Sequence, residues 1–152
     1  MIFKRKPKGF VPQFEAVACF IEDKNSNVLF LLRARNKKFG ALKWASPAGK
    51  IEQKETKEQA VARELQEETG LKPEESRFVY VCHVYVIFES GVKFVFHMFR
   101  LKYNCQPGVV LNAENEGLVW LKPDQALASL LLMEDEAACV KLAFGLNKKK
   151  GR

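Results

Sequence analysis

The stretch PAGKIEQKETKEQAVARELQEETGL, from Pro47 to Leu71, decides how the rest of the chain is read. Thr56 stands where a helix N-cap is needed, its hydroxyl able to accept from a free N–H of the first turn. Lys57 to Thr69 are mostly good helix formers, and Gly70 is placed to stop the helix in the left-handed conformation. Ala60, Val61 and Leu65, with Ala62, make a narrow apolar stripe for packing on a sheet. Pro47-Ala48-Gly49 is expected to turn the chain into the helix. Glu64, Glu67 and Glu68 fall at i, i+3 and i+4 and share one face. Like charges so placed repel by a few tenths of a kcal/mol per pair unless cations neutralise them. Carboxylate oxygens suit Mg²⁺ or Mn²⁺, ions that also bind phosphates. A helix this rich in Glu, Lys and Arg is ordinarily a solvated face. The spacing argues otherwise.

That spacing is Gly49, five residues, Glu55, seven residues, then Arg63-Glu64-Leu65-Gln66-Glu67-Glu68-Thr69-Gly70-Leu71. At average residue frequencies, its seven type-fixed positions would match by chance roughly once in 10^8 starts. The pattern resembles the full Nudix box, with no position departing from it.

The chain around the box is ordinary for one globular domain. At 152 residues it should bury about two-thirds of its unfolded surface. No apolar run approaches the 18 residues of a membrane span, and MIFKRKPKGF has no apolar core of a secretory signal, so a cytoplasmic protein is expected. Cys19, Cys82, Cys105 and Cys139 are far apart and read as reduced, largely buried thiols. Leaving out Lys4, Arg5, Lys6, Lys8, Lys148, Lys149, Lys150 and Arg152 takes the net charge from +7 to −1. The basicity therefore sits in the two ends, 1–9 and 147–152, read as flexible solvated tails with RNA or another polyanion as the alternative.

In chain order, Phe14 to Ile21 reads as a buried strand, Asp23 to Asn27 as a turn, and Val28 to Leu32 as the return strand of a hairpin. Arg33, Arg35, Lys37 and Lys38 follow. Basic side chains leaving a strand toward a carboxylate cluster could hold phosphate oxygens, Arg33 first, with a solvated loop the equal alternative. Arg77 to Phe88 and Val92 to Tyr103 form a second hairpin about Glu89-Ser90-Gly91. His83 and His97 lie inside it without metal-ligand spacing and read as structural. Asn104 to Gly117 is a loop carrying Glu114 and Glu116, and Leu118 to Leu121 is a short strand. Helices are expected from Pro123 to about Leu132 and from Glu134 to Phe144, with Leu130 to Met133 in the core.

The box and the strand pattern on both sides of it resemble the Nudix hydrolases over residues 12 to 146, with the MutT-like branch nearest. The resemblance implies an α/β fold, an α/β/α sandwich with a mixed central sheet, and Mg²⁺ or Mn²⁺ as cofactor. It implies cleavage of a nucleoside triphosphate to monophosphate and pyrophosphate, with sanitation of oxidised nucleotides as one role. Alternatives are an RNA 5′-triphosphate or a dinucleoside polyphosphate as substrate, or an inert nucleotide-binding module. Carried over, Glu64, Glu67 and Glu68 hold metal, Glu55 stands beside them as an outer metal ligand or orienting group, and Arg63 fixes the glutamates by ion pairing. The metal-binding backbone carbonyl falls on Ala48, in Ser46-Pro47-Ala48-Gly49 where Phe-Pro-Gly-Gly is more familiar. Alanine keeps that carbonyl but is less comfortable than glycine at positive φ. Glu114 is the late-loop glutamate that completes the metal site and acts as general base, with Glu116 in reserve. Asp135 takes the base-reading position, where Asn is more familiar; an acidic helix N-terminus is the competing reading.

Overall fold

Burial from Ala16 to Ile21 runs without a break, the pattern of a strand covered on both faces. The structure, a computed structural model, describes residues 1–146 and shows why. Its strands are β1 (Ile2–Phe3), β2 (Phe14–Glu22), β3 (Val28–Arg33), β4 (Trp44–Ala45), β5 (Ala48–Lys50), β6 (Val79–Ile87), β7 (Lys93–Lys102) and β8 (Asn115–Leu121). Its helices are α1 (Lys57–Thr69), α2 (Pro123–Ser129) and α3 (Glu136–Ala143). The strands run β1-β6-β7-β2-β3-β4 across one mixed sheet, with β5 added beside β2 and β8 beside β3. β2 lies parallel to β7 from Phe14↔Phe94 to Glu22↔Lys102 and antiparallel to β5.

Strand alternation then sorts side chains into two cores. Val17, Cys19, Ile21, Leu29, Leu31, Phe99 and Leu101 face α1, which contributes Ala60, Val61 and Leu65. Ala16, Phe20, Val28, Phe30, Phe94 and Met98 face the other way, toward Ala126 of α2 and Cys139, Val140 and Ala143 of α3. The result is an α/β/α sandwich. Leu65 is fully buried, a gain of about 2 kcal/mol from its side chain alone.

α1 begins and ends where its sequence demands. Thr56 Oγ1 accepts from Gln59 N–H at 3.1 Å and Gln59 Oε1 accepts from Thr56 N–H at 3.0 Å, a reciprocal cap. Gly70 closes the helix at φ 74°, its N–H donating to Gln66 O.

Several expectations are corrected. The first hairpin closes on a single register pair, Glu22↔Val28, because β3 turns aside to pair β8 and β4. Pro47 to Gly49 is no turn, since Ala48–Lys50 is a strand held by β2. β8 starts at Asn115, three residues before the expected strand. α2 stops at Ser129, after which Leu130 is extended and Leu131, expected in the core, is 67% exposed. Leu131 O and Met133 N–H instead bond the backbone of Trp44. α3 starts at Glu136 rather than Glu134, and Cys105 is exposed rather than buried. The N-terminal end is not a free tail. Ile2 and Phe3 pair with Val86 and Tyr85 along the edge of β6, and Phe10 is buried against Tyr85, while Lys4, Arg5, Lys6 and Lys8 stay exposed. The basic end at 147–152 lies outside the described residues.

Candidate active site

Gly49 and Glu64 meet where β5 passes α1. A Cβ on Gly49 would lie 2.0 Å from the Glu64 carboxyl carbon, so only glycine lets the carboxylate reach the strand. The same ladder positions Ala48. Cys19 N–H donates to Pro47 O and Ile51 N–H to Glu15 O, so alternate residues of this segment face β2. Ala48 falls between them and turns its N–H and carbonyl outward, toward α1. Its N–H meets Glu68 Oε2 at 3.4 Å. The left-handed conformation that would have strained alanine is not used, since Ala48 is in extended backbone and absent from the positive-φ residues. The departure from Gly-Gly is therefore absorbed without strain.

The box glutamates occupy three depths. Glu68 lies on the apolar stripe of α1 and is 5% exposed; the Glu64 side chain is 12% exposed and that of Glu67 52%. Arg63 organises the outer two. Its Nη1 donates to Glu64 Oε1 at 2.8 Å and to Glu67 Oε2 at 3.3 Å. Nε and Nη2 grip Glu55 at 2.7 and 2.9 Å, and Nη2 also reaches Lys50 O at 2.9 Å. Glu55 is thus an anchor of Arg63, whose guanidinium holds its carboxyl below the usual range.

Among the described residues, no such cation pairs with Glu68. Burial, then the charges of Glu64 and Glu114, push its carboxyl well above the ordinary value, with Arg33 opposing. Burial also raises Glu64, against Arg63, with Glu67 and Glu114 adding to the rise. Glu64, Glu68 and Glu114 therefore converge closely enough to disfavour one another's charge. Among the described residues no three His, Cys, Asp or Glu side chains are already gathered as a ligand set; Arg63 is bonded to Glu64 and Glu67. The donors nevertheless suit a hard divalent cation: crowded carboxylates short of positive charge, beside an outward backbone carbonyl.

Glu114 is held by its backbone, Ala34 N–H donating to its carbonyl at 2.9 Å, while Lys37 Nζ lies 3.4 Å from its carboxylate. Glu116 points elsewhere, its carboxylate taken by the N–H and guanidinium of Arg35. Of the two loop glutamates, the structure brings Glu114 to the cluster.

Beside the glutamates opens a cleft of about 210 Å³. Ala48, Gly49, Glu68 and Arg33 line one end, and Phe14, Phe88, Phe94 and Phe96 wall the other. Arg33 Nε donates to Phe39 O at 3.0 Å, which fixes the side chain along the loop. Asp135 borders the cleft in the left-handed conformation at φ 65°, a state that Asp and Asn tolerate better than other residues. Its carboxylate receives the α-amino group of Met1, a partner not visible in the sequence. Asp135 also stands at the N-cap position of α3, as the competing reading of an acidic helix N-terminus has it, although its side chain makes no capping bond.

Sequence reasoning missed the aromatic wall and Glu136. Glu136 Oε1 accepts from both N–H and Oγ of Ser46 at 2.9 Å, and burial pushes its carboxyl up to about 7. The even-numbered phenylalanines of β2 and β7 carried a signal, since strand alternation puts them on one face. What was lacking was the parallel β2–β7 pairing that brings the two strands together.

The family model for the NUDIX domain matches residues 12–142. An RNA pyrophosphohydrolase of Psychromonas ingrahamii is 42% identical over 66 residues, 43% of this chain and 32% of the relative. An 8-oxo-dGTP diphosphatase of Escherichia coli is 45% identical over 58 residues, 38% of this chain and 45% of the relative. The chain thus spans less than half the length of each. A crystal structure of a MutT protein from Methanosarcina mazei superposes with a TM-score of 0.76 at 25% identity, covering 91% of this chain and 97% of that one.

Proposed function

The chain belongs to the NUDIX family, and we propose that it is a metal-dependent pyrophosphohydrolase that converts a nucleoside triphosphate to the monophosphate and pyrophosphate. One observation carries the reading: the buried Glu68 lines an aromatic-walled cleft beside the outward N–H of Ala48, with the charges of Glu64 and Glu114 near enough to raise its carboxyl. Such a site suits a ligand with a polyanionic end and a flat apolar end.

Glu64, Glu67, Glu68 and the Ala48 carbonyl would hold Mg²⁺ or Mn²⁺, which when bound neutralises polyphosphate charge and lowers the pKa of a water. Arg63 sets the Glu64 and Glu67 side chains in place. Glu114 takes the proton from the attacking water. The water oxygen bonds to phosphorus as the bond to the bridging oxygen breaks, and pyrophosphate leaves with the electron pair. Arg33 places positive charge beside the phosphates, while Phe14, Phe88, Phe94 and Phe96 take the base. Asp135 accepts from a base amino group once released by Met1.

A second reading, removal of pyrophosphate from a 5′-triphosphate RNA, is favoured by the name of the Psychromonas relative and by the net charge of +7. Product analysis separates the two. With Mg²⁺ or Mn²⁺, pyrophosphate release would be measured from normal and oxidised nucleoside triphosphates, diadenosine tetraphosphate and a short 5′-triphosphate RNA. Fastest release from a nucleoside triphosphate is expected. Preference for the RNA would move the assignment to the second reading, and inertness toward every substrate would sink both.

A further inference from the structure

The chain's only two histidines, His83 and His97, are 14 residues apart in sequence, yet they are direct cross-strand partners on β6 and β7. Phe88 N–H donates to Val92 O. Counting back by twos from that bond puts His83↔His97 at a non-hydrogen-bonded position, where opposed side chains stand closest. Their ring centroids are 5.7 Å apart. A register shift between Tyr80 and Cys82 reverses the alternation and swings Tyr80 onto the histidine face.

The three side chains then share one geometry. The Tyr80 hydroxyl lies 2.9 Å from His97 Nδ1 and 3.3 Å from His83 Nδ1, so both Nδ1 atoms converge on one point. Each Nε2 has its own partner on the far side: Glu15 Oε1 at 3.0 Å from His97, and Tyr85 Oη at 3.4 Å from His83. A phenol has one proton to donate, so in the metal-free protein it meets one Nδ1 lone pair and the other ring must turn an Nδ1–H to the phenol oxygen. An ion that accepts from both Nδ1 atoms would satisfy both. Outer carboxylate or hydroxyl partners on the remote nitrogens are what orient imidazoles that bind metal.

We propose that His83 and His97 form a second metal site, binding a divalent transition ion such as Zn²⁺, Ni²⁺ or Cu²⁺ through both Nδ1 atoms, with the Tyr80 oxygen as third donor. Nitrogen ligands select these ions, whereas Mg²⁺ prefers the oxygens of the glutamate site. The site sits on the α1 side of the sheet and cross-links β6, β7 and, through Glu15, the start of β2. Its role is to stiffen that part of the sheet, independently of the hydrolytic reading.

The test uses the full chain stripped by chelator and returned to excess Mg²⁺. Zn²⁺ should bind in calorimetric titration and raise Tm. Both effects should disappear in His83→Ala and His97→Ala and persist in Glu64→Gln. His83 is exposed, so its substitution leaves the core intact; His97→Gln preserves a donor to Glu15 and provides the second variant. With Cu²⁺, electron paramagnetic resonance should report two nitrogen ligands in the parent and one in each single variant. Failure of the parent to bind Zn²⁺, or binding and Tm shifts unchanged in both histidine variants, would overturn the proposal.

Discussion

The two ends of the cleft are built in opposite ways. At the glutamate end, Glu55, Arg63, Glu64, Glu67 and Glu68 all come from one helix and its approach, and one guanidinium binds three of the four carboxylates. At the aromatic end, Phe14, Phe88, Phe94, Phe96 and Asp135 come from regions up to 121 positions apart, joined by sheet pairing and the α3 entry. The first end depends on charge and on one missing Cβ; the second depends on apolar area. Chemistry should therefore be lost at one end and affinity at the other.

The sharpest break is expected from Glu64→Gln or Glu67→Gln, which remove charge without changing shape. Turnover should fall about 10²–10⁴-fold with an unaltered melting curve. Near-parental rates would remove the glutamates from the mechanism. Gly49→Ala comes next, because its methyl group must displace the Glu64 carboxylate. A shift of about 1 Å should cost roughly 10²-fold in kcat, and crystallography would show Glu64 moved. At the other end, Phe88→Ala should raise KM about tenfold, in line with one lost base–aromatic stack, and leave kcat nearly unchanged. A fall in kcat with constant KM would mean the aromatic wall does more than bind.

The smallest effect concerns the tie between the two ends, Glu136 on Ser46. Its carboxyl titrates near 7 when folded, above the ordinary value of about 4.3. The stability it contributes is fully present below that ordinary value and is lost as pH rises through about 7. Glu136→Gln should lack this component, so the parent should lose a few degrees more in Tm between pH 5 and 8 than the variant. Parallel Tm–pH curves would show that Glu136 does not titrate there.

The same contrast explains what was legible. Caps, helix and glutamate face follow from neighbours within about four positions, and Thr56, Gln59 and Gly70 behave as their types dictate. Gly49 was legible as a motif position, but its reason, clearance for Glu64, was not. The brief first hairpin, the docking of Ile2–Phe3 on β6 and the Glu136–Ser46 bond depend on partners 82–93 residues away, beyond any local period. Glu114 and Glu116 looked alike in the sequence; the fold pairs Glu116 with Arg35 and leaves the charge of Glu114 near Glu64 and Glu68.

The parallel ladder of β2 and β7 has a consequence for how the protein forms. Each of its register pairs joins residues 80 positions apart, Phe14 to Phe94 at one end and Glu22 to Lys102 at the other. Closing so long a loop costs entropy before any contact is gained, and topologies of this kind fold slowly. On the ribosome, the helix bearing the glutamates is complete about 30 residues before β7, the parallel partner of β2, has been made. Until Lys102 has emerged, the nascent chain carries its acidic helix with no finished platform to receive it.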